Sequence, residues 1–373
     1  MTVKLGYSIA YAGFFTMLSL SMYAPGSIIS SKLSDIYPRK TIMIVTQILC
    51  GLAMIVTGLF MNNKEIVPFL LLSIFFFDGA TDPARTAIHA DHTTFQNRKE
   101  AFSLFYFAFN IGFAVGPMVA GILFYKYPQW LFIGNGLVTL CSTLLVMILI
   151  EDKKPTTEEL ELSIINNQSD KAVEGSVWKA LKERPLLTIY LLISSAAGLA
   201  RAFIFFAIPL FFNELFLMKG PTYYGSIMSI NAITVIVFTP IIVKLSNNRH
   251  PLRDISMSLL LYSLSYFIMG YASSYIYFAA LMVLATIGEV LSATNYEYFF
   301  TNQTPMGHRA RFSSVRLILE GSGFAIGPLL AGIIINDKGY TFIFLSSAII
   351  LLGCAIALQF LRLAYKKKTN NKY

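Results

Sequence analysis

Charged residues are scarce in this chain. Asp, Glu, Lys and Arg make up only 13% of its 373 residues, whereas 55% are hydrophobic. A soluble globular domain carries about 25% charged residues, so the composition excludes a soluble fold. The three cysteines lie inside apolar runs, where a small buried side chain is a simpler interpretation than a disulfide framework. The four histidines lie in predicted loops, so we predict neither a metal site nor a cofactor.

Long apolar runs recur along the whole chain. A helix needs about 20 apolar residues to cross a bilayer at about 1.5 Å per residue. The runs are continuous and lack the alternation of barrel strands, which indicates helices. We therefore predict an all-α, polytopic membrane protein. The eleven predicted spans lie near residues 7–30, 41–61, 67–88, 101–124, 131–150, 187–212, 222–243, 254–272, 275–299, 312–335 and 341–361.

Lysine and arginine alternate between rich and poor loops. The segment "SKLSDIYPRK", residues 31–40, carries three cations, whereas the next loop, "NNKE", carries one. The alternation continues to the C-terminal "KKK", and by the positive-inside rule the rich loops are cytoplasmic. The net charge of +9 therefore reflects membrane topology and not nucleic-acid binding. We predict a multi-pass protein of the cell membrane with a cytoplasmic C-terminus.

The sequence contains an internal repeat. The stretch "GFAVGPMVAG", residues 112–121, returns as "GFAIGPLLAG", residues 323–332, at an offset of 211. At an offset of 212, "KLSD" returns as "KLSN". We predict two pseudo-symmetric helical bundles, residues 1–150 and 186–373, joined by a cytoplasmic linker over 151–185. Parallel repeats of this kind are one architecture of secondary transporters, whose substrate site lies between the halves.

The repeat also predicts a twelfth helix. The span at 187–212 precedes the second copy, and its counterpart would fall at 187 − 211 = −24 to 212 − 211 = +1. We therefore number the eleven spans from second to twelfth. The expectation is that residue 1 is internal to a longer protein, or that the protein is a truncated form.

The segment at residues 31–40 resembles the loop motif between the second and third helices of the major facilitator superfamily, G-x-L-(A/S)-D-R-x-G-(R/K)-(R/K). The resemblance implies an alternating-access transporter and a gating latch, in which Asp35 approaches the N-terminal end of the eleventh helix and Arg39 approaches Asp91. Three motif positions differ, including Ile36 in place of Arg. The matching residues are Leu33, Ser34, Asp35, Arg39 and Lys40.

The fifth span resembles the antiporter signature of the same superfamily, G-x-x-x-G-P-x-x-G-G. Gly112, Gly116, Pro117 and Gly121 match it. The resemblance implies a drug:proton antiporter and adds Gly112, Gly116 and Pro117 to the gating residues. The alternative is simple helix packing, because small residues four apart let helix backbones approach closely.

Ionisable residues lie deep in four spans. A charge at the bilayer centre costs about 2.5 to 3.5 kcal/mol, so Asp78, Arg201, Glu289 and Glu320 are candidates for substrate binding or proton coupling. Asp78 and Glu289 are 211 residues apart, which places an acid at the same point of both halves. We predict that these two acids titrate and that Arg201 is their partner. The third, sixth, ninth and twelfth spans have no charge at mid-depth and are predicted to face lipid.

Two of these assignments have a purely structural alternative. Arg201 and one acid could form a permanent structural ion pair, and Glu320 could pair with Arg316 one turn away. Polar residues of the same helices are further candidates for lining the substrate pocket. They are Asn110, Asn231 and Asn295.

The prediction is thus a monomeric secondary active transporter, coupled to protons, that exports small molecules as a multidrug-type antiporter. The alternatives are uptake of a metabolite, sugar or peptide, and a truncated membrane protein that transports nothing. A membrane enzyme would need a nucleophile and base, or metal ligands, at one depth. No such set is apparent in the sequence, so we predict that the protein is not an enzyme.

Overall fold

The computed structural model describes residues 2–92, 98–151, 185–246, 249–303 and 309–370, and these residues are helical with no strand among them. The predicted all-α fold is confirmed. A 3-10 turn, Leu217–Lys219, joins two of the helices. The helices are α1 (Thr2–Leu5), α2 (Ile9–Ile36), α3 (Arg39–Leu59), α4 (Ile66–Asp91), α5 (Arg98–Lys126), α6 (Pro128–Leu149), α7 (Pro185–Phe216), α8 (Gly220–Ser246), α9 (Pro251–Met269), α10 (Tyr275–Gln303) and α11 (Arg309–Asn370).

Helix α11 is interrupted once. Gly339 has φ 80° and ψ 177°, a non-helical conformation that glycine adopts without steric cost. Residues 309–338 and 340–370 are therefore two helices, and each of the eleven predicted spans coincides with one helix. In the described residues, eight helical stretches are long and apolar enough to cross a membrane, and two of them, Pro185–Ser246 and Gly321–Ala364, contain two helices each.

The charged segment at residues 31–40 is mostly helix. Helix α2 continues to Ile36 and α3 begins at Arg39, so only Tyr37 and Pro38 connect them. The prediction of a loop over residues 31–36 is therefore wrong. Hydropathy marks where a helix leaves the bilayer, whereas this helix ends where Pro38 disfavours helical backbone in the residue before it.

The chain divides into two compact units, Met1–Glu161 and Leu162–Tyr373. In the N-terminal unit, α2 packs on α4, and α3 packs on both α4 and α6. The α2–α4 contact depends on two glycines, because a side chain on Gly26 would overlap the Phe76 backbone and one on Gly79 would overlap the Tyr23 backbone. This close approach brings Tyr23 next to the acidic part of α4.

In the C-terminal unit, α7 packs on both parts of α11, before and after Gly339, and α9 packs on α10 and α11. Glycines again set the distances. A side chain on Gly327 would overlap the Cβ atom of Ala202, and one on Gly288 would place its Cβ atom 2.9 Å from the backbone oxygen of Ser258. The second contact joins α9 closely to α10.

Helix α9 has two different faces. Met257, Leu264 and Phe267 are exposed, as expected for a helix that faces lipid. The opposite face is buried and polar, which the sequence did not predict. Its buried polar residues are Asp254, Ser256, Ser258, Tyr262, Ser263, Ser265 and Tyr266.

Candidate functional site

Glu289 on α10 belongs to a polar cluster inside the C-terminal unit. The side-chain nitrogen of Asn231, on α8, donates hydrogen bonds of 2.9 Å to the Glu289 carboxylate and of 2.9 Å to the Thr286 hydroxyl. Thr286 lies almost one turn before Glu289 on α10 and is fully buried. Two predicted site residues, Asn231 and Glu289, are therefore in direct contact, although they are 58 residues apart.

Arg201 on α7 reaches the same cluster through α9. Its guanidinium interacts electrostatically with Tyr262, Tyr266 and Glu289. Tyr262 and Tyr266 are 5% and 7% exposed, whereas Arg201 is exposed. The cluster thus combines one cation, one acid and two phenols in a single unit. Such a set can exchange a proton and can bind a polar or charged group.

A second cluster lies on α4 in the N-terminal unit. Arg85 forms a 2.5 Å ion pair with Asp82, and the side chains of both are about one-third exposed. Tyr23, on α2, is an electrostatic neighbour of Asp82 and of Asp78. Asp78 is exposed and lies one turn before Asp82.

Asn295 belongs to a different cluster from Glu289. Ser246, the last residue of α8, donates a hydrogen bond to Asp254, which is 1% exposed, and accepts one of 2.9 Å from Asn295. These three residues tie α8, α9 and α10 together at one end of the unit. Asn295 is therefore hydrogen-bonded to Ser246, whereas Asn231 is hydrogen-bonded to Glu289.

The predicted gating residues are described only in part. Arg39 is the first residue of α3, and Pro117 lies inside α5. A side chain on Gly112 or Gly116 would meet no atom within 4 Å among the described residues. Asn110, on the same helix, is buried. The side chains of Asp35, Asp91 and Glu320 lie outside the described part of the structure.

The sequence interpretation missed the two tyrosines of α9 and Thr286. Tyr262 and Tyr266 are four residues apart, so they lie on one face of a helix, and Gly288 directly precedes Glu289. The four-residue spacing of the tyrosines and the glycine before Glu289 were the features of the sequence that could have indicated this contact. In the described residues, no group of three or more His, Cys, Asp or Glu side chains could hold a metal ion.

A family model supports the transporter interpretation. The model of the Major Facilitator Superfamily matches residues 1–253 and 196–372. The chain is 23% identical over 380 residues to a Na(+), Li(+), K(+)/H(+) antiporter from Planococcus maritimus, covering 92% of this chain and 86% of that protein. It is 23% identical over 338 residues to the uncharacterised MFS-type transporter YhjO of Bacillus subtilis, covering 89% of this chain and 79% of that protein.

Solved structures have a similar fold. A bacterial homologue of the human lysosomal transporter Spinster, in an inward-facing and occupied conformation, superposes with a TM-score of 0.75 at 13% identity, covering 97% of this chain and 91% of that chain. The POT family transporter PepTSo superposes with a TM-score of 0.71 at 15% identity, covering 96% of this chain and 90% of that chain.

Proposed function

The chain belongs to the major facilitator superfamily, and on that premise we propose that it is a proton-coupled antiporter that exports small molecules by alternating access. Membership makes it a multi-pass membrane transporter and not an enzyme. The observation that carries the proposal is the Glu289 cluster, in which an acid inside a membrane-spanning helix is hydrogen-bonded by Asn231 and interacts electrostatically with Arg201.

Glu289 is the proposed proton carrier. When it is ionised, its carboxylate accepts the hydrogen bond from Asn231 and attracts Arg201. A charge in a low-dielectric site is stable only while such partners are in place. Protonation removes the charge of Glu289 and weakens its attraction for Arg201. The Arg201 guanidinium is then available to a substrate, so proton binding and substrate binding are linked through one cation.

Asp78 is the proposed second titrating group. It lies 211 residues before Glu289, at the same point of the repeat. Its neighbour Asp82 is paired with Arg85, which leaves Asp78 to bind and release protons. Each unit of the chain then carries one acid that changes its charge during transport.

Two observations favour antiport over other modes. The relative from Planococcus maritimus carries the name of an antiporter, and Gly112, Gly116 and Pro117 match the antiporter signature. We propose lipophilic cations as the substrate class, with the protein in the cell membrane and its C-terminus in the cytoplasm. The rich and poor loops of the positive-inside pattern support this orientation.

Exchange of monovalent cations for protons is a second candidate, and the name of the same relative favours it. Asp78 and Asp82 lie one turn apart on α4. Carboxylate oxygens are the ligands that hard cations prefer, so Asp78 would bind the metal ion in the exchange reaction, with Asp82 following if its ion pair with Arg85 opens.

Proteoliposomes containing a pH-sensitive dye test both candidates. Addition of ethidium, tetraphenylphosphonium, Na⁺ or K⁺ is expected to move protons in the direction opposite to the substrate. Proton movement in the same direction would indicate uptake by symport and contradict antiport. Glu289→Gln is expected to reduce substrate-driven proton movement to the rate of protein-free vesicles.

Glu214→Gln is the matched control, because Glu214 is an exposed glutamate near the end of α7. It should transport like the wild type. If Glu289→Gln retains coupled flux, Glu289 is not the proton carrier. Asp78→Asn, tested in the same vesicles, separates the contributions of the two acids.

A further inference from the structure

Three polar side chains form a continuous chain of hydrogen bonds across the contact between α8 and α10. The Thr286 hydroxyl donates a 2.7 Å hydrogen bond to the Met282 backbone oxygen in the preceding turn of α10. The hydroxyl oxygen of Thr286 accepts a 2.9 Å hydrogen bond from the side-chain nitrogen of Asn231, and that nitrogen also donates to the Glu289 carboxylate at 2.9 Å. The chain therefore leads from a backbone carbonyl, through Thr286 and Asn231, to Glu289.

The direction of each hydrogen bond fixes which end of the Asn231 side chain faces α10. A hydroxyl has one hydrogen, and Thr286 donates it to Met282. The Thr286 oxygen can then only accept a hydrogen bond. An asparagine side chain has an NH₂ end that donates and a carbonyl end that accepts, so the NH₂ end must face Thr286. A carboxylate also only accepts, and Glu289 therefore requires the same end.

We propose that Thr286 is a positioning residue that orients the Asn231 side chain so that its NH₂ group faces Glu289. The inference rests on the proposed function, in which Glu289 carries the proton. Rotation of the amide by half a turn would bring its carbonyl oxygen to the Glu289 carboxylate, where two acceptors would meet. The rotated amide would also need the Thr286 hydrogen, which would then be lost to Met282. Thr286 thus disfavours the rotated state.

Burial makes this orientation strict. Thr286 is fully buried, whereas Asn231 and Glu289 are partly exposed. Water therefore cannot replace a hydrogen bond that the Thr286 hydroxyl fails to make, and an unmade bond of a buried polar group is costly. With its NH₂ group held toward Glu289, Asn231 stabilises the ionised carboxylate. This is the form of Glu289 that has released its proton and can attract a cationic substrate.

Melting temperatures of the full-length protein in detergent test the proposal without a transport assay. Thr286→Val keeps the shape of the side chain and removes its hydroxyl, and Glu289→Gln provides an amide that can pair with either end of Asn231. Thr286→Val should therefore lower the melting temperature by about 3 °C more when residue 289 is Glu than when it is Gln. Equal losses in the two backgrounds would overturn the proposal, because a threonine that only packs costs the same in both.

Thr234→Val is the matched control. Thr234 lies on α8, almost one turn after Asn231, and is also buried. Its hydroxyl donates a 2.7 Å hydrogen bond to the Ile230 backbone oxygen, as that of Thr286 does to Met282, but in the described residues it has no side-chain partner. Thr234→Val should therefore cost the same with Glu289 and with Glu289→Gln. A difference as large as that for Thr286→Val would contradict the proposal.

Two further variants of Thr286 complete the cycle. Thr286→Ser keeps the hydroxyl, so its effect on the melting temperature should be the same in both backgrounds, and a difference like that of Thr286→Val would contradict the orienting role of the hydroxyl. If Thr286→Val folds poorly, Thr286→Ala and its control Thr234→Ala provide the same comparison.

Transport of ethidium adds a functional readout. A rotated Asn231 would hold the proton on Glu289, and ethidium would have to compete with it. Thr286→Val should therefore raise the KM for ethidium about tenfold, the size of one hydrogen bond to a charged group, and leave the maximal rate near that of the wild type. Thr286→Ser should restore the KM. A wild-type KM in Thr286→Val would contradict the proposal.

The positioning role and the proposed function fail separately in these experiments. If the melting temperatures show the expected difference while Glu289→Gln transports normally, Thr286 orients Asn231 toward an acid that does not carry the proton, and the proposed function is wrong. If Glu289→Gln abolishes coupled flux while Thr286→Val costs the same in both backgrounds, the proposed function holds and the positioning role is wrong.

Discussion

Residues at equivalent positions of the repeat are packed differently in the two units. Ile42 and Ala84 of the N-terminal unit correspond to Asp254 and Asn295 of the C-terminal unit, at offsets of 212 and 211. Ile42 and Ala84 are part of a buried apolar cluster. Asp254 and Asn295 are also buried, but they meet through the hydroxyl of Ser246. One unit is joined there by dispersion contacts and the other by hydrogen bonds.

The glycine motif of the repeat differs in the same way. In the C-terminal unit, a Cβ atom on Gly323 would lie 3.0 Å from the Ser195 backbone oxygen, and one on Gly327 would overlap Ala202. For Gly112 and Gly116, no atom lies within 4 Å of such a Cβ atom in the described part of the chain. Among the described residues, a repeat in sequence is therefore not a repeat in packing.

The largest difference between the units should appear on removal of a serine hydroxyl. Ser246→Ala leaves Asp254 and Asn295 without the group that joins them, and we expect a loss of about 3 kcal/mol in the free energy of unfolding. Ser34 is the counterpart of Ser246, and its hydroxyl donates to the Ser30 backbone oxygen within the same helix. Ser34→Ala should be nearly neutral. Titration with SDS in detergent micelles measures both, and equal losses would contradict this difference.

Glycine-to-alanine substitutions should give the next largest effect. Gly327→Ala forces a methyl group into Ala202, and overpacking of this kind costs about 2 kcal/mol. Gly116→Ala meets no described atom and removes the backbone freedom of glycine, so it should be neutral or stabilising by about 0.5 kcal/mol. Melting temperatures of the two variants in one detergent provide the comparison. A destabilised Gly116→Ala would show that this face is tightly packed.

The smallest expected effect is a loss of stability at acidic pH. His250, before α9, accepts a 3.2 Å hydrogen bond from the Leu252 backbone amide, whereas Pro38, its counterpart before α3, makes no side-chain cap. Burial and the nearby cation of Arg362 lower the pKa of His250 from its ordinary value of 6.5, and Asp254 opposes this. The folded state therefore favours neutral His250, and its contribution to stability is lost as the pH falls below 6.5.

We expect this loss to be about 1 kcal/mol, the usual value of a helix cap. Melting temperatures of the wild type and of His250→Asn, measured above and below pH 6.5, test the expectation. Asparagine caps a helix at either pH, so the variant should lose less stability on acidification. An identical loss in both proteins would assign the pH dependence to other groups.

The spans could be predicted from the sequence because lipid imposes length and apolarity on every helix that crosses it. The ends of the helices could not be predicted in this way, since α2 continues through Lys32 and Ser34 beyond the apolar run. Two features of the site were also predictable. Asp78 and Glu289 stood out because charges in apolar runs are costly.

The partners of those acids were not predictable to the same degree. Asn231 contacts Glu289 across 58 residues, and contacts between distant residues depend on how helices pack. Tyr262 was missed for a different reason. A tyrosine has no charge and intermediate hydropathy, so its position in an apolar run carries little information until the Gly288 contact shows which way it is buried.

Lys40 has a consequence for how the protein is made. Its amine donates a 2.9 Å hydrogen bond to the Met147 backbone oxygen, 107 residues later in the chain, at a helix end where carbonyl groups carry partial negative charge. While the chain is being synthesised, α3 emerges well before α6 exists, so Lys40 at first acts only as one of the charges that orient the nascent chain. When α6 arrives, the same amine caps it. The bond then joins the first turn of α3 to the last turn of α6, so separating the two helices requires breaking it.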